Sequence, residues 1–234
     1  MKISIVIPVH NEEEIISETI KNIENKLNLD YEIIIVNDHS TDNTGVVVKN
    51  LTKQYSNLML VENDTGRGFA DALRKGFLVS KSDLVVPVMA DSCDDPQTIA
   101  VMHDKVLDGF DVVCGSRYMK KGKKIGGPKL QSFFSRFVGL SLKHIIRIPT
   151  SDVSNSFKCY RKNVLGCIQT QSRGFELSME ITLKAYFAGY KITEVPTVWQ
   201  GRYIGKSKFY LLRVAPSYIK LYLWAILKKN FKNG

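Results

Sequence analysis

Three acidic residues follow an apolar segment near the middle of the chain. Residues 84–89 are apolar, and Asp91, Asp94 and Asp95 come shortly after them. Like charges this close repel one another unless a cation lies among them, and carboxylate oxygens suit Mg²⁺ or Mn²⁺. The alternative is a solvated turn in which Asp94 or Asp95 caps a helix that begins at Pro96. The cluster predicts a metal site, with Asp91 as its main ligand.

The charge of the chain is divided unevenly. The formal net charge is +10, but residues 1–95 carry nine Lys or Arg and sixteen Asp or Glu, whereas residues 96–234 carry twenty-four and seven. Residues 117–147 and 195–234 contain no acid at all. Because long acid-free stretches indicate a polyanionic partner, we expect a nucleic acid, an anionic lipid or a phosphorylated substrate to bind the basic part.

The cysteines and the chain ends bear on where the protein works. The four cysteines form no CxxC pair and no zinc spacing, which is typical of reduced thiols in a cytosolic protein. Strand-like residues begin just after Met1, so we expect no signal peptide. Near the C-terminus the longest uncharged run, Leu221–Leu227, is far shorter than the ~20 residues that a membrane span requires. Segment 209–234 is therefore predicted to be a basic amphipathic helical segment that either lies in a membrane interface or packs on the domain.

Apolar and amphipathic segments alternate along the first half of the chain. We predict strands at residues 3–9, 31–36, 58–61, 84–89 and 112–114, and helices after Asn11 and at residues 44–55, 68–80 and 96–109. This alternation predicts an α/β fold with a mostly parallel sheet, in which ligands bind beyond the carboxyl ends of strands. Polar clusters follow four of these strand ends, so we expect them to form one site. No GxGxxG follows the first strand and no P-loop is present, which disfavours NAD-dependent and P-loop enzymes.

Seven motifs occur in register over most of the chain. They are PVHNEE, VNDHSTDNT, the acidic cluster, GSRY, DVSNSF, GFELSMEI and GRYIGKSK. Their order resembles that of the family-two glycosyltransferases of the GT-A fold, and most closely the branch like dolichyl-phosphate mannose synthase. The resemblance implies one GT-A domain over residues 1–208, with a nucleotide-binding half (1–116) and an acceptor half (117–208), followed by segment 209–234.

The resemblance implies a nucleotide site in the first half. Carboxylates accept hydrogen bonds from ribose hydroxyls and base N–H groups, which agrees with that role for Glu12 and Asp38. Alternatively, Glu12 only favours a helix N-terminus and Asp38 only begins a turn. The full set implied at the nucleotide is Pro8, Val9, Asn11, Glu12, Asp38 and Ser40.

The resemblance also refines the metal site. When Pro96 is aligned with the proline that follows the family's Asp-x-Asp motif, the two acids of that motif fall on Met89 and Asp91. A thioether is a poor ligand for Mg²⁺ or Mn²⁺, so Asp91 stays the best ligand, with Asp94 as the first compensating candidate and Asp95 as the second.

The resemblance places sugar and phosphates in the basic half. It implies that Arg117 lies near both, which suits a planar guanidinium, although an ordinary surface arginine is the alternative. Residues 120–124 look like a mobile basic loop that closes over a donor. Asp152 is implied at the sugar and acceptor, as a positioning group rather than a base if the acceptor is an anionic phosphate. Glu176 is implied near the sugar. The residues that resemble the family's grip on the acceptor phosphate are Arg202, Lys206 and Lys208.

Together these assignments predict an inverting, metal-dependent glycosyltransferase at the cytoplasmic face of a membrane, with Asp91, Arg117 and Asp152 as its catalytic residues. It would move a sugar from a nucleotide-diphosphate sugar, GDP-mannose or UDP-glucose, to a polyprenyl phosphate such as dolichyl or undecaprenyl phosphate. An anionic membrane surface is an expected partner, a membrane-protein partner stays open, and no nucleic acid is expected. The alternatives are transfer to a cell-envelope glycan, a non-catalytic binding protein, and nucleic-acid binding by the basic half.

Overall fold

The computed structural model describes residues 1–202 and 210–232 of the chain. Its strands are β1 (Ile3–Val9), β2 (Tyr31–Asn37), β3 (Leu58–Glu62), β4 (Leu84–Pro87), β5 (Val112–Ser116), β6 (Lys123–Ile125), β7 (Lys158–Arg161), β8 (Ile192–Pro196) and β9 (Val198–Gln200). Its helices are α1 (Ile16–Lys26), α2 (Thr44–Leu51), α3 (Phe69–Val79), α4 (Gln97–Leu107), α5 (Lys129–Ile145), α6 (Lys162–Cys167), α7 (Leu177–Phe187) and α8 (Leu211–Lys232).

Seven strands form the central sheet, in the order β3-β2-β1-β4-β7-β5-β8. All neighbours run parallel except β7, which is antiparallel to β4 and β5. Helices cover both faces of the sheet, so its inner strands are continuous apolar runs: Ile5 and Ile7 point into one buried cluster and Val6 into the other. The predicted α/β fold with a mostly parallel sheet is confirmed.

A third buried cluster joins α5, α7 and α8 beside the sheet. It contains Leu142, Met179, Leu183 and Ala225, all of them fully buried. One side of α8 therefore packs on the rest of the protein, as one of the two predictions for segment 209–234 required. The other side of α8 stays exposed, as does a neighbouring strip of α5.

Two predicted boundaries are wrong near the site. The first helix begins at Ile16 rather than directly after Asn11, because Asn11 has a left-handed φ of 53° and the chain turns there before it becomes helical. The fourth strand ends at Pro87 rather than at residue 89. Proline has no N–H to donate to the next strand, which weakens the ladder at this point.

The predicted mobile loop at residues 120–124 is also wrong in part. Residues Lys123–Ile125 form β6, which pairs in parallel with β9 in a separate two-stranded sheet. The register Lys124↔Trp199 joins two segments that are far apart in the chain. No local sequence pattern specifies such a pairing.

Candidate active site

A cavity of about 1170 Å³ opens at the carboxyl ends of the central strands, and we call it the main cavity. Its lining includes residues at or shortly after the ends of β1, β2, β4 and β5, where ligands bind in open α/β sheets. Helices α5 and α8 add mostly apolar and aromatic side chains to the lining. Its lining residues include Pro8, Val9, Glu12, Asp38, Gly68, Phe69, Met89, Asp91, Arg117, Lys124, Gln131, Phe134, Ser135, Phe175, Trp199, Arg202, Tyr218 and Tyr222.

Asp38 is held in a fixed orientation at the edge of the main cavity. Its two carboxylate oxygens accept hydrogen bonds from Asn63 Nδ2 and from the backbone N–H of Gly68, both at 2.8 Å. Gly68 has φ 105°, a conformation that side-chain-bearing residues rarely adopt. The contact with Gly68 joins β2 to the start of α3, so Asp38 does more than begin a turn.

Four other predicted nucleotide residues divide into two groups. Pro8 and Val9 line the main cavity at the end of β1. Asn11 and Ser40 are not among its lining residues, and they bond to each other instead, since the Asn11 N–H donates to Ser40 Oγ at 3.1 Å. Asn11 and Ser40 thus hold together the two loops that present Glu12 and Asp38.

Arg202 contacts two acids that were predicted to bind different ligands, a nucleotide and a metal ion. Its Nη2 lies 2.8 Å from both carboxylate oxygens of Glu12, and its Nε lies 3.6 Å from Asp91 Oδ2. All three side chains are at most 16% exposed. The guanidinium therefore neutralises the predicted nucleotide acid and the predicted metal acid together. Arg202 thus contacts an acid predicted at the nucleotide and an acid predicted at the metal, and its predicted role at the acceptor phosphate stays a prediction.

The three predicted metal acids have different surroundings. Asp91 lines the main cavity, and its Oδ1 accepts the N–H of Cys93 at 3.2 Å. Asp94 is buried, and its Oδ2 has no hydrogen-bond partner in the part of the chain that the structure describes. Burial, followed by the charge of Asp91, raises the pKa of Asp94 to about 7. Asp95 accepts the N–H of Gln97 at 3.3 Å, as a residue at the start of a helix does.

A divalent cation fits this site only as an ion shared with a substrate. Within residues 1–202 and 210–232, no three His, Cys, Asp or Glu side chains are arranged to hold a metal ion. Met89 lines the cavity where a second acid would help. Mg²⁺ is, however, commonly held through one or two carboxylates together with substrate phosphates. Asp91 faces the cavity and can supply one such carboxylate.

Arg117 and Asp152 form a buried ion pair beside the cavity. Asp152 is fully buried and accepts hydrogen bonds from the backbone N–H, Nε and Nη2 of Arg117 at 3.0, 2.7 and 2.8 Å. Burial alone would lower the pKa of Arg117, but Asp152 raises it above its ordinary value. Arg117 Nη2 also donates to Ser135 Oγ on α5 at 3.2 Å. Since both oxygens of Asp152 are engaged, this carboxylate orients the guanidinium.

The other predicted acceptor residues lie in less direct positions. Glu176 is buried, and its Oε1 accepts the backbone N–H groups of Arg173 and Gly174 at 3.2 Å. It is not among the residues that line the main cavity, whereas its neighbour Phe175 is and stacks on Phe69 at 4.6 Å. Lys206 and Lys208 lie outside the described residues.

The sequence did not lead to a prediction that helix α5 lines the main cavity. Helix α5 contributes Gln131, Phe134 and Ser135, although residues 117–147 stand out in the sequence only as an acid-free stretch. Apolar residues at positions 130, 133, 134, 137 and 138 have the spacing of an amphipathic helix and could have revealed it. Trp199 of β9 was also missed, and Lys124 was predicted only within a loop closing over the donor, because the pairing of β6 with β9 is non-local.

The residues that line the main cavity are of three kinds. They are acids that suit hydroxyl or N–H groups of a ligand, the cations Arg117, Lys124 and Arg202, and the apolar side chains of α5 and α8. An amphiphilic molecule with an anionic head and a hydrocarbon tail matches the cations and the apolar side chains.

Comparisons with known proteins identify the family. The glycosyl transferase family 2 profile matches residues 4–169. The dolichol-phosphate mannosyltransferase of Pyrococcus furiosus is 31% identical over 213 residues, which cover 89% of this chain and only 59% of that longer protein. The polyprenol monophosphomannose synthase of Mycolicibacterium smegmatis is 24% identical over 234 residues, covering 95% of this chain and 86% of that protein.

A solved structure supports the fold. Glucosyl-3-phosphoglycerate synthase from Mycobacterium tuberculosis, crystallised with Mn²⁺, UDP and glucosyl-3-phosphoglycerate, superposes with a TM-score of 0.72 at 17% identity, over 97% of this chain and 79% of that one. The family profile covers well over half of the chain. This chain therefore belongs to glycosyl transferase family 2 and is a glycosyltransferase of the GT-A fold.

Proposed function

We propose that this enzyme transfers a sugar, with inversion, from a nucleotide-diphosphate sugar to a polyprenyl phosphate. The observation that carries the proposal is that a single cavity is lined by Asp38 and Glu12, by Arg117, and by the apolar side chains of α5 and α8, which form its apolar groove. A nucleotide suits the acids, a phosphate suits the cation, and an isoprenoid chain suits the groove. The named activities of the relatives from Pyrococcus and Mycolicibacterium support the same acceptor class.

The donor is proposed to lie at the acidic end. Glu12 and Asp38 would accept hydrogen bonds from the nucleoside, beside Pro8 and Val9, while Asn11 and Ser40 keep the two loops together. GDP-mannose and UDP-glucose both remain candidates, and the mannosyltransferase relatives favour mannose.

A divalent ion, Mg²⁺ or Mn²⁺, is proposed to be shared between the donor diphosphate and Asp91. When bound, such an ion stabilises the negative charge that develops as the nucleoside diphosphate leaves. Asp94 and Asp95 stay proposed as further ligands, and both would have to leave their present surroundings. Arg202 already lies beside Asp91 and can turn to the diphosphate, and phosphate roles stay proposed for Lys206 and Lys208.

The acceptor phosphate is proposed to bind near Arg117. Asp152 holds that guanidinium in place, and a phosphate monoester is already anionic near neutral pH, so its oxygen can attack the sugar without a general base. One displacement from the face opposite the leaving diphosphate inverts the anomeric carbon. Glu176 would act indirectly, by shaping the loop that presents Phe175.

The membrane surface is proposed as the place where the lipid enters. No described helix is long and apolar enough to cross a membrane. The exposed strip of α5 includes Phe133 and Phe137, at 64% and 57% exposure, and α8 exposes Leu212 and Leu223. With the basic residues around them, these side chains suit peripheral contact with an anionic membrane at its cytoplasmic face. A membrane-protein partner is compatible with the same surface.

The test is a screen of nucleotide sugars, with and without Mn²⁺, for release of nucleoside diphosphate that depends on a polyprenyl phosphate. We expect one donor to give release with the lipid phosphate and none with the matching lipid alcohol. Release that needs a glycan acceptor instead would support the cell-envelope alternative. If no donor gives acceptor-dependent release, the proposed function is wrong.

A further inference from the structure

Lys124 is a cation that faces the main cavity from an unexpected element. It lies in the middle of β6, opposite Trp199 of β9, and its Nζ is 5.0 Å from the centre of the Trp199 ring. Alternation along the strand leaves Lys123 and Ile125 exposed on the other side, and neither lines the cavity. Of the three, Lys124 alone is directed at the site.

Lys124 differs from the other cations of the site because it has no acidic partner among the described residues. Arg117 is paired with Asp152 and Arg202 with Glu12, whereas the ammonium of Lys124 makes no hydrogen bond or ion pair with any residue that the structure describes. Burial, with Arg117 next in importance, lowers the pKa of Lys124 to about 8. A half-buried ammonium without a counter-charge is unfavourable unless a ligand supplies one.

The surroundings of Lys124 indicate which anion it would meet. Lys124 and Arg117 both line the main cavity, so one anion bound there can meet both cations. The chain between Arg117 and β6 is packed tightly, since a Cβ at Gly122 would lie 2.3 Å from the carbonyl oxygen of Ser116. The position of β6 relative to Arg117 is thereby fixed.

Arg117 has donors left for the same anion. Its Nε and Nη2 bond to Asp152 and Ser135, and Nη1 takes part in no hydrogen bond among the described residues. A phosphate between Nη1 and the ammonium of Lys124 would receive charge-assisted hydrogen bonds from two sides. Its hydrocarbon chain could then continue along Phe134 and Tyr218, which line the adjoining groove.

We propose that Lys124 binds the phosphate of the acceptor lipid, opposite Arg117. This inference rests on the proposed function and adds to it a residue that positions the attacking oxygen. Its strand partner Trp199 provides the face against which the lysine is held before the lipid arrives.

The test compares Lys124→Met with Lys123→Met, a matched substitution one residue away on the exposed side of β6. Loss of one charge-assisted hydrogen bond should raise the KM for farnesyl phosphate about 10- to 100-fold. The KM for the sugar donor should stay within about twofold, since the proposed contact of Lys124 is with the acceptor phosphate alone. Lys123→Met should match the wild type, and Lys124→Arg should recover most of the lost affinity. An unchanged acceptor KM in Lys124→Met, or a rise in the donor KM instead, would overturn the inference.

Binding measurements separate this inference from the proposed reaction. Calorimetry with farnesyl phosphate, farnesol and inorganic phosphate, without any donor, should show binding of farnesyl phosphate that weakens in Lys124→Met and not in Lys123→Met. Retained binding in the wild type with no sugar transfer would refute only the proposed function. Equal affinity of the two variants, or binding of farnesol as tight as that of farnesyl phosphate, would refute the role of Lys124. If inorganic phosphate binds as well as the lipid, the site recognises free phosphate and the lipid assignment is wrong.

Discussion

Removing the Asp152 carboxylate tests whether this residue positions Arg117 or acts as a base. Asp152 is fully buried, the Arg117 side chain is only 10% exposed, and three hydrogen bonds of 2.7–3.0 Å join them. Asp152→Ala leaves a buried guanidinium without a counter-charge. We therefore expect the free energy of unfolding to fall by about 3–5 kcal/mol, the usual result of removing one partner from a buried ion pair.

A double variant gives the coupling between the two charges. In Arg117→Met/Asp152→Ala neither charge of this pair stays buried without the other. The total loss of unfolding free energy should therefore be about 0.5–3 kcal/mol smaller than the sum of the two single losses. Urea denaturation followed by tryptophan fluorescence measures all four proteins. Strictly additive losses would show that the two charges contribute nothing as a pair.

Asp152→Asn tests the chemical role with a side chain of nearly the same size. If Asp152 only orients Arg117, the variant should raise the acceptor KM about 10-fold, equivalent to about 1.4 kcal/mol, and keep the shape of the pH profile of kcat. A general base would instead remove the acidic limb of that profile. Loss of the acidic limb in Asp152→Asn would refute the positioning role.

Three further predictions follow from the site and its supports. Asp91→Asn should weaken the Mn²⁺-dependent binding of nucleoside diphosphate at least about 10-fold by calorimetry, and unchanged binding would exclude Asp91 as the shared ligand. Burial lowers the pKa of Lys158 from 10.5 to about 8, so unfolding free energy should rise between those pH values, where the unfolded chain binds a proton that the folded protein has lost. Lys158→Met should lack this rise. If thermal melts of the wild type and of Lys158→Met depend on pH with the same slope, the prediction is wrong. Phe133→Ser/Phe137→Ser should reduce cosedimentation with anionic vesicles without lowering stability. The control Val46→Ser, at an exposed residue of α2, should leave both unchanged. Equal vesicle binding by the wild type and both variants would show that α5 does not contact the membrane.

Much of the fold could be predicted from local patterns. The runs at Ile3–Val9 and Tyr31–Asn37 are apolar at nearly every position because both faces of those strands are covered, and such runs are visible in the sequence. The polar residues that end these strands reach one site because parallel strands share the orientation of their carboxyl ends. For this reason residue type and spacing suffice to assign Asp38, Asp91 and Arg117 to one cavity.

The partners of these residues could not be predicted in the same way. The sequence predicts Arg202 at the acceptor phosphate but does not predict its contacts with Glu12, 190 residues earlier, and with Asp91. The sequence predicts Lys124 in a mobile loop, yet it lies in a strand paired with Trp199. Side chains so far apart in the chain meet only when the topology brings their segments together, and no local periodicity records that.

The sequence by itself determined the α/β architecture, the family and the acids and arginine at the strand ends, because each depends on residue type and local spacing. The tertiary structure decided which of the described charges compensate one another. It paired Arg117 with Asp152 and placed Arg202 between Glu12 and Asp91. It also placed Lys124 in the cavity beside Trp199, because β6 pairs with a strand that is distant in the chain. Among the described residues, no acid contacts the Lys124 ammonium.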